Sequence, residues 1–119
     1  MIEGDVILTQ IPQSDGTLKT RPALVLRELP PFRDLLVCGI STQTHQSVPG
    51  FDERIVRTDS DFKKSGLLAD SVVRLGFLAV LPRTKIAGTI GKISRHRYER
   101  LVKRLSSYLI KKIVKTSTK

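Results

Sequence analysis

The sequence has no tryptophan, one cysteine, two histidines and only 5% aromatic residues in 119. A single cysteine, Cys38, excludes an internal disulfide. Its setting, "LLVCGI", reads as a small buried thiol, a composition that suits a reducing compartment. His45 and His96 share no ligand spacing with Cys38 or with a pair of acids, so no metal centre is expected. There is no phosphate-binding glycine loop, no dinucleotide fingerprint and no G-x-S-x-G elbow, so cofactor and serine-hydrolase chemistry have no motif to rest on. The scarcity of aromatics argues against an extended base-stacking platform.

Long apolar runs are also missing. The longest, "LGFLAVLP", is far short of the roughly 18 residues of a helical membrane span. The opening "MIEGDV" carries Glu3 and Asp5 where a secretion signal would carry positive charge, so a cytoplasmic location with no membrane partner is expected.

Acids are missing from one part of the chain. Residues 1–82 hold 9 Lys or Arg against 10 Asp or Glu, whereas residues 83–119 hold 12 against Glu99 alone. Nearly all of the net charge of +10 therefore sits in the last third. Such asymmetry points to a polyanionic partner, or to a solvated basic helix that serves solubility.

What is present reads as one domain, residues 1–119. Strand patterns occupy 4–11, 21–28, 35–42, 53–58, 67–81 and 84–93, with a bend expected near Asp70 or Gly76 in the long fifth one. From Ser94, a suitable N-cap, apolar residues recur at 98, 101, 102, 105, 109, 110 and 113. The pattern predicts a helix over about 94–114, with Arg97, Arg100 and Arg104 on its solvent side. Short strands followed by one helix predict a mainly β (α+β) domain: a small barrel or sandwich over about 1–93, closed by a C-terminal helix.

The polar residues of interest stand at strand ends. Arg21 and Pro22 open the second strand; Ser41, Thr42 and Gln43 close the third. Antiparallel pairing of the two would bring Arg21 and Ser41 to one rim. A guanidinium beside a hydroxyl suits a phosphate, although a surface ion pair and a polar turn would read the same way.

In order, "GDVILTQIP", a glycine-containing loop, "TRPALVL", a third strand ending in "STQ", "LLADSVVRLGFLAVLP" and a terminal helix resemble the MazF/PemK/Kid family of toxin ribonucleases, over most of the chain. The resemblance implies a compact SH3-like β-barrel of the MazF/PemK/CcdB type, a homodimer, and cofactor-free, metal-independent cleavage of single-stranded RNA. It also implies an antitoxin partner whose acidic segment covers the RNA groove. The family's arginine before proline falls on Arg21. Its hydroxyl residue before Thr-Gln, commonly threonine, falls on Ser41. An L-A-D match places an acid–base aspartate at Asp70, but Leu68 stands where some members have an arginine. Thr42, Gln43, His45 and Arg74 are candidate RNA contacts, and Gln13, Gln46 and Phe51 candidate base readers; for Asp70 and Arg74 a structural role fits equally. The rival functions are a non-catalytic nucleic-acid-binding barrel and a basic interaction protein that docks on an acidic partner.

Overall fold

The computed structural model describes residues 2–12 and 14–111. Six strands, β1 (Asp5–Pro12), β2 (Leu18–Leu29), β3 (Asp34–Ser41), β4 (Glu53–Ile55), β5 (Ser71–Leu81) and β6 (Ile86–Lys92), form one antiparallel sheet in the order β4-β5-β3-β2-β1-β6. A one-turn helix, α1 (Phe62–Ser65), lies between β4 and β5, and α2 (Arg95–Leu109) follows β6.

The sheet is not closed by pairing of its edge strands β4 and β6. Instead α1 and the residue after it lie against β6. A Cβ on Gly91 would stand 2.2 Å from the Lys64 carbonyl oxygen, and one on Gly66, whose φ is +77°, 2.2 Å from that of Ile90. Only glycine allows backbones this close. The result is barrel-like, with a local turn filling the seam.

Alternating side chains divide between the two faces of the sheet. One face buries Val6, Leu24, Leu26, Cys38, Ile40, Ile55, Val73 and Leu75 under Leu101 and Leu105 of α2. The other collects Ile7, Ala23, Val25, Leu35 and Val37. Burial of Cys38 pushes its thiol up to about 12, so it stays protonated and inert.

β2 begins at Leu18, earlier than its apolar run suggests, so Pro22 lies within the strand rather than at its start. Pro22 is in register with Leu8 of β1 but lies one residue outside the β2–β3 ladder, which ends at Ala23 opposite Gly39. That stretch of β2 is paired on one side only, where a residue without an N–H is tolerated. β5 begins at Ser71 rather than at 67. Its register with β3 jumps from Arg74 opposite Gly39 to Leu78 opposite Cys38, a bulge that includes Gly76.

The N-cap of α2 is Ser94, whose Oγ accepts from the Arg97 N–H at 3.1 Å. Leu101 and Leu105 are buried and Tyr98 and Val102 half-buried, but Leu109 and Ile110 are exposed; position 113 lies outside the described residues.

Arg97 corrects the sequence expectation most sharply. It points inward, 7% exposed. Its guanidinium donates to both Asp61 oxygens (2.8 and 3.0 Å), to Glu53 (2.7 Å), to Asp59 (2.9 Å) and to the Arg54 carbonyl (2.9 Å). Arg100 and Arg104 pair with Glu53 as well, at 2.5 and 3.1 Å. The acids that these cations neutralise lie far upstream in sequence, which is why the helical pattern alone placed them in solvent.

Candidate phosphate-binding rim

The β2–β3 ladder stops at Ala23 opposite Gly39. Two residues further along each strand stand Arg21 and Ser41, at the same end of the two strands. On the far side of β3, Ser41 pairs with Val72 and Gly39 with Arg74. By strand alternation Arg21, Ser41 and Arg74 share the parity of Ala23 and Gly39, so all three belong to the sheet face away from α2. The expected meeting of Arg21 and Ser41 at one rim is consistent with this register, and Arg74 adds a second guanidinium.

Neither arginine has an ion-pair partner among the described residues. The Nε of Arg74 is buried and makes no hydrogen bond there, and its NH1 reaches Gln46 Oε1 only at 3.4 Å. A buried donor without an acceptor is costly. Ser41 is half-buried, and its Oγ accepts the Gln43 N–H at 3.0 Å. That bond orders the turn through Thr42 and leaves the hydroxyl proton free to donate.

The loop after Ser41 carries Thr42, Gln43, His45 and Gln46, all exposed, around a 3-10 turn at Thr44–Gln46. Gln46 leans on Arg74, so this loop borders the rim. Phe51, at the loop's other end, is directed elsewhere: it packs against the α2-side core, with its ring 5.0 Å from that of Tyr108. Asp70 immediately precedes β5, and its Oδ1 accepts the Arg57 N–H at 2.9 Å, bracing the chain beside β4. Gln13 lies outside the described residues. Beside the rim is a hollow of about 240 Å³ lined by Ala23, Val37, Gly39, Phe77, Ala79 and Leu81, among others. Phe77 roofs Gly39, where a Cβ would come within 3.1 Å of its ring. The sequence reading did not single out Phe77, because the bulge that turns it over Gly39 has no local signature.

Among the described residues no group of three or more His, Cys, Asp or Glu is placed to hold a metal ion, and no helix is long and apolar enough to cross a membrane. The chain is thus a small antiparallel, barrel-like domain with guanidinium and hydroxyl side chains on one face of its sheet.

The comparisons give the family. The family described as "PemK-like, MazF-like toxin of type II toxin-antitoxin system" matches residues 2–109. The chain belongs to this family. In three dimensions it is similar to the Mycobacterium tuberculosis toxin MazF-mt6, with a TM-score of 0.63, 22% identity and coverage of 88% of this chain and 95% of that one. At that identity the likeness concerns the fold. No curated protein matches the sequence significantly.

Proposed function

We propose that this toxin is a metal-independent endoribonuclease that cuts single-stranded RNA, messenger RNA above all, at short sequence motifs. The observation that carries the reading is the placement of Arg21, Ser41 and Arg74 on one face of the sheet, on the adjacent strands β2, β3 and β5. RNA supplies its own nucleophile, the 2′-OH, which loses its proton and attacks the adjacent phosphorus while the P–O5′ bond breaks and the 5′ oxygen takes a proton from solvent. The products are a 2′,3′-cyclic phosphate and a 5′-OH. Charge accumulates on the non-bridging oxygens of the phosphorane, and fixed donors aimed there lower the barrier. Arg21 grips two of these oxygens, Arg74 offers its terminal N–H groups, and Ser41 donates its hydroxyl proton. Asp70, whose Oδ1 accepts the Arg57 N–H, is the proposed acceptor of the 2′-OH proton through its other oxygen. Thr42, Gln43, His45 and Gln46 line the path of the strand, with Gln13 as a further RNA contact, whereas Phe51, packed against Tyr108, is not part of this path. An unstacked base fits the hollow beneath Phe77.

The partners that accompany this reading are a cognate antitoxin with an acidic segment and a second copy of the chain. Exposed Leu78 and Val80 on β5 provide apolar surface for such a homodimer. The proposed location is the cytoplasm. The test is incubation of the purified protein with mixed-sequence single-stranded RNA in EDTA, followed by end mapping. Cyclic phosphate and 5′-OH ends at a recurring short motif support the reading; salt-sensitive binding with intact RNA would leave a non-catalytic binding barrel.

A further inference from the structure

The basic helix lies on the opposite side of the sheet from the Arg21 rim, so its charge needs its own explanation. Part of it is internal. Glu53, 11% exposed at its side chain, is shared by Arg97, Arg100 and Arg104. Arg104 also donates to the Phe51 and Asp52 carbonyls at 3.5 and 3.3 Å, which fastens the end of the 42–52 loop to α2. Lys103 and Lys111 have no ion pair among the described residues and are exposed. With Ser107 they recur every four residues, along one side of an open groove of about 450 Å³. Phe51 and Tyr108 also line this groove, their rings tilted by 50°, and Tyr108 is 59% exposed.

We infer that this groove is a second RNA-binding site, an exosite that holds single-stranded RNA away from the cleavage rim. Unpaired cations that follow a phosphate chain, beside an aromatic ring free to stack on a base, are the two elements of sequence-tolerant single-strand binding. The groove is open rather than a closed apolar socket, which favours a flexible nucleic acid over the anchored side chains of an acidic peptide. One loop links the two places: Gln46 touches Arg74 at the rim, and Phe51 meets Tyr108 in the groove. An RNA longer than the cleaved motif can therefore engage both, and tethering at one raises its effective concentration at the other. The inference rests on the ribonuclease reading for its biological sense, but its test reads binding alone.

The probe is a fluorescein-labelled 20-nucleotide single strand, fully 2′-O-methylated so that it cannot be cut, titrated by anisotropy at several salt concentrations. Lys103→Ala with Lys111→Ala should weaken binding by about tenfold at low salt. It should also reduce the slope of log affinity against log salt by about 1.4, the value for two phosphate contacts on a single strand. Tyr108→Ala should weaken binding by about fivefold or more. A short cleavable RNA confined to the cleaved motif should be cut by the lysine variant at the wild-type rate. Unchanged 20-mer binding and slope would overturn the exosite. So would a lysine variant that keeps RNA binding but loses a labelled poly-glutamate peptide, which would assign the groove to an acidic polypeptide. If the wild type cuts no RNA at all, the ribonuclease reading falls while the binding titration still decides the groove.

Discussion

Arg97 and Asp61 meet in a two-point ion pair inside the protein, Nε to Oδ2 at 2.8 Å and NH2 to Oδ1 at 3.0 Å, 36 residues apart in sequence. Asp61 also accepts the Ser94 N–H at 3.0 Å, so the same carboxylate fixes the start of α2. The pair ties the helix to the segment between β4 and α1, on the side of the barrel where the sheet is not closed. Replacing the guanidinium by an apolar group of similar length, Arg97→Met, would strand buried carboxylates. A loss of about 3–5 kcal/mol is expected, the range for breaking one side of a buried pair. Urea denaturation of the variant beside the wild type measures it.

The same cluster sets an acid limit. Burial alone would raise the Asp61 carboxyl, but the hydrogen bonds from Arg97 and Ser94 outweigh it and hold the group below its ordinary range. A carboxyl whose folded pKa is depressed contributes stability that is fully present above its unfolded value, about 3.9, and is lost as pH falls through the folded value. Stability should therefore be flat in this term from neutral pH to about 5 and decline below about 4. In Asp61→Asn that decline should be shallower, on top of a lower plateau. Thermal melts from pH 3 to 7 check both features.

Much of this organisation was legible in the sequence, and the exceptions have physical causes. Strands with period-two or continuous apolar patterns, and the capped helix with Leu101 and Leu105 one turn apart, follow from local chemistry. Ser41 was legible as the end of β3, but Arg21, expected to open the second strand, lies three residues inside β2, because Leu18–Thr20 pair with β1 despite having no apolar run. The inward turn of Arg97 was not legible, since a lone arginine four residues before Leu101 shows its burial only when Glu53, Asp59 and Asp61 are brought to it by the fold. Its place on the same helical line as Leu101 and Leu105 was the one available hint. The seam closed by Gly66 and Gly91 was equally hidden: glycines announce permissive backbone, not which distant backbone approaches. That Arg74 shares a sheet face with Arg21 depends on register across β3, a long-range property.

At the rim, Ser41 holds the turn with its oxygen, and in the proposed mechanism its hydroxyl donates to phosphate. Ser41→Ala should slow cleavage by on the order of 10²-fold, as for the loss of one donor to developing charge. Ser41→Thr should keep most of the activity, since it keeps both the acceptor that binds the Gln43 N–H and the donor. Single-turnover rates with a mapped RNA substrate measure the effect; an alanine variant of full activity would remove Ser41 from the chemistry.

The central claim is that Arg21 is a preorganised clamp on the phosphorane. Pro22 restricts the backbone beside it, and the buried run Ala23–Leu26 anchors β2, so Arg21 is held at the rim before RNA arrives. A lysine keeps the charge but loses the planar fork that grips two oxygens. The most direct measurement is the single-turnover cleavage rate of Arg21→Lys, with RNA affinity measured on the same preparation and folding verified by a thermal melt. The rate should fall by about 10²-fold or more, near 3 kcal/mol of transition-state stabilisation, while affinity changes only a few-fold. Cleavage at the wild-type rate would contradict the clamp and leave Arg21 as a rim charge beside a strand proline.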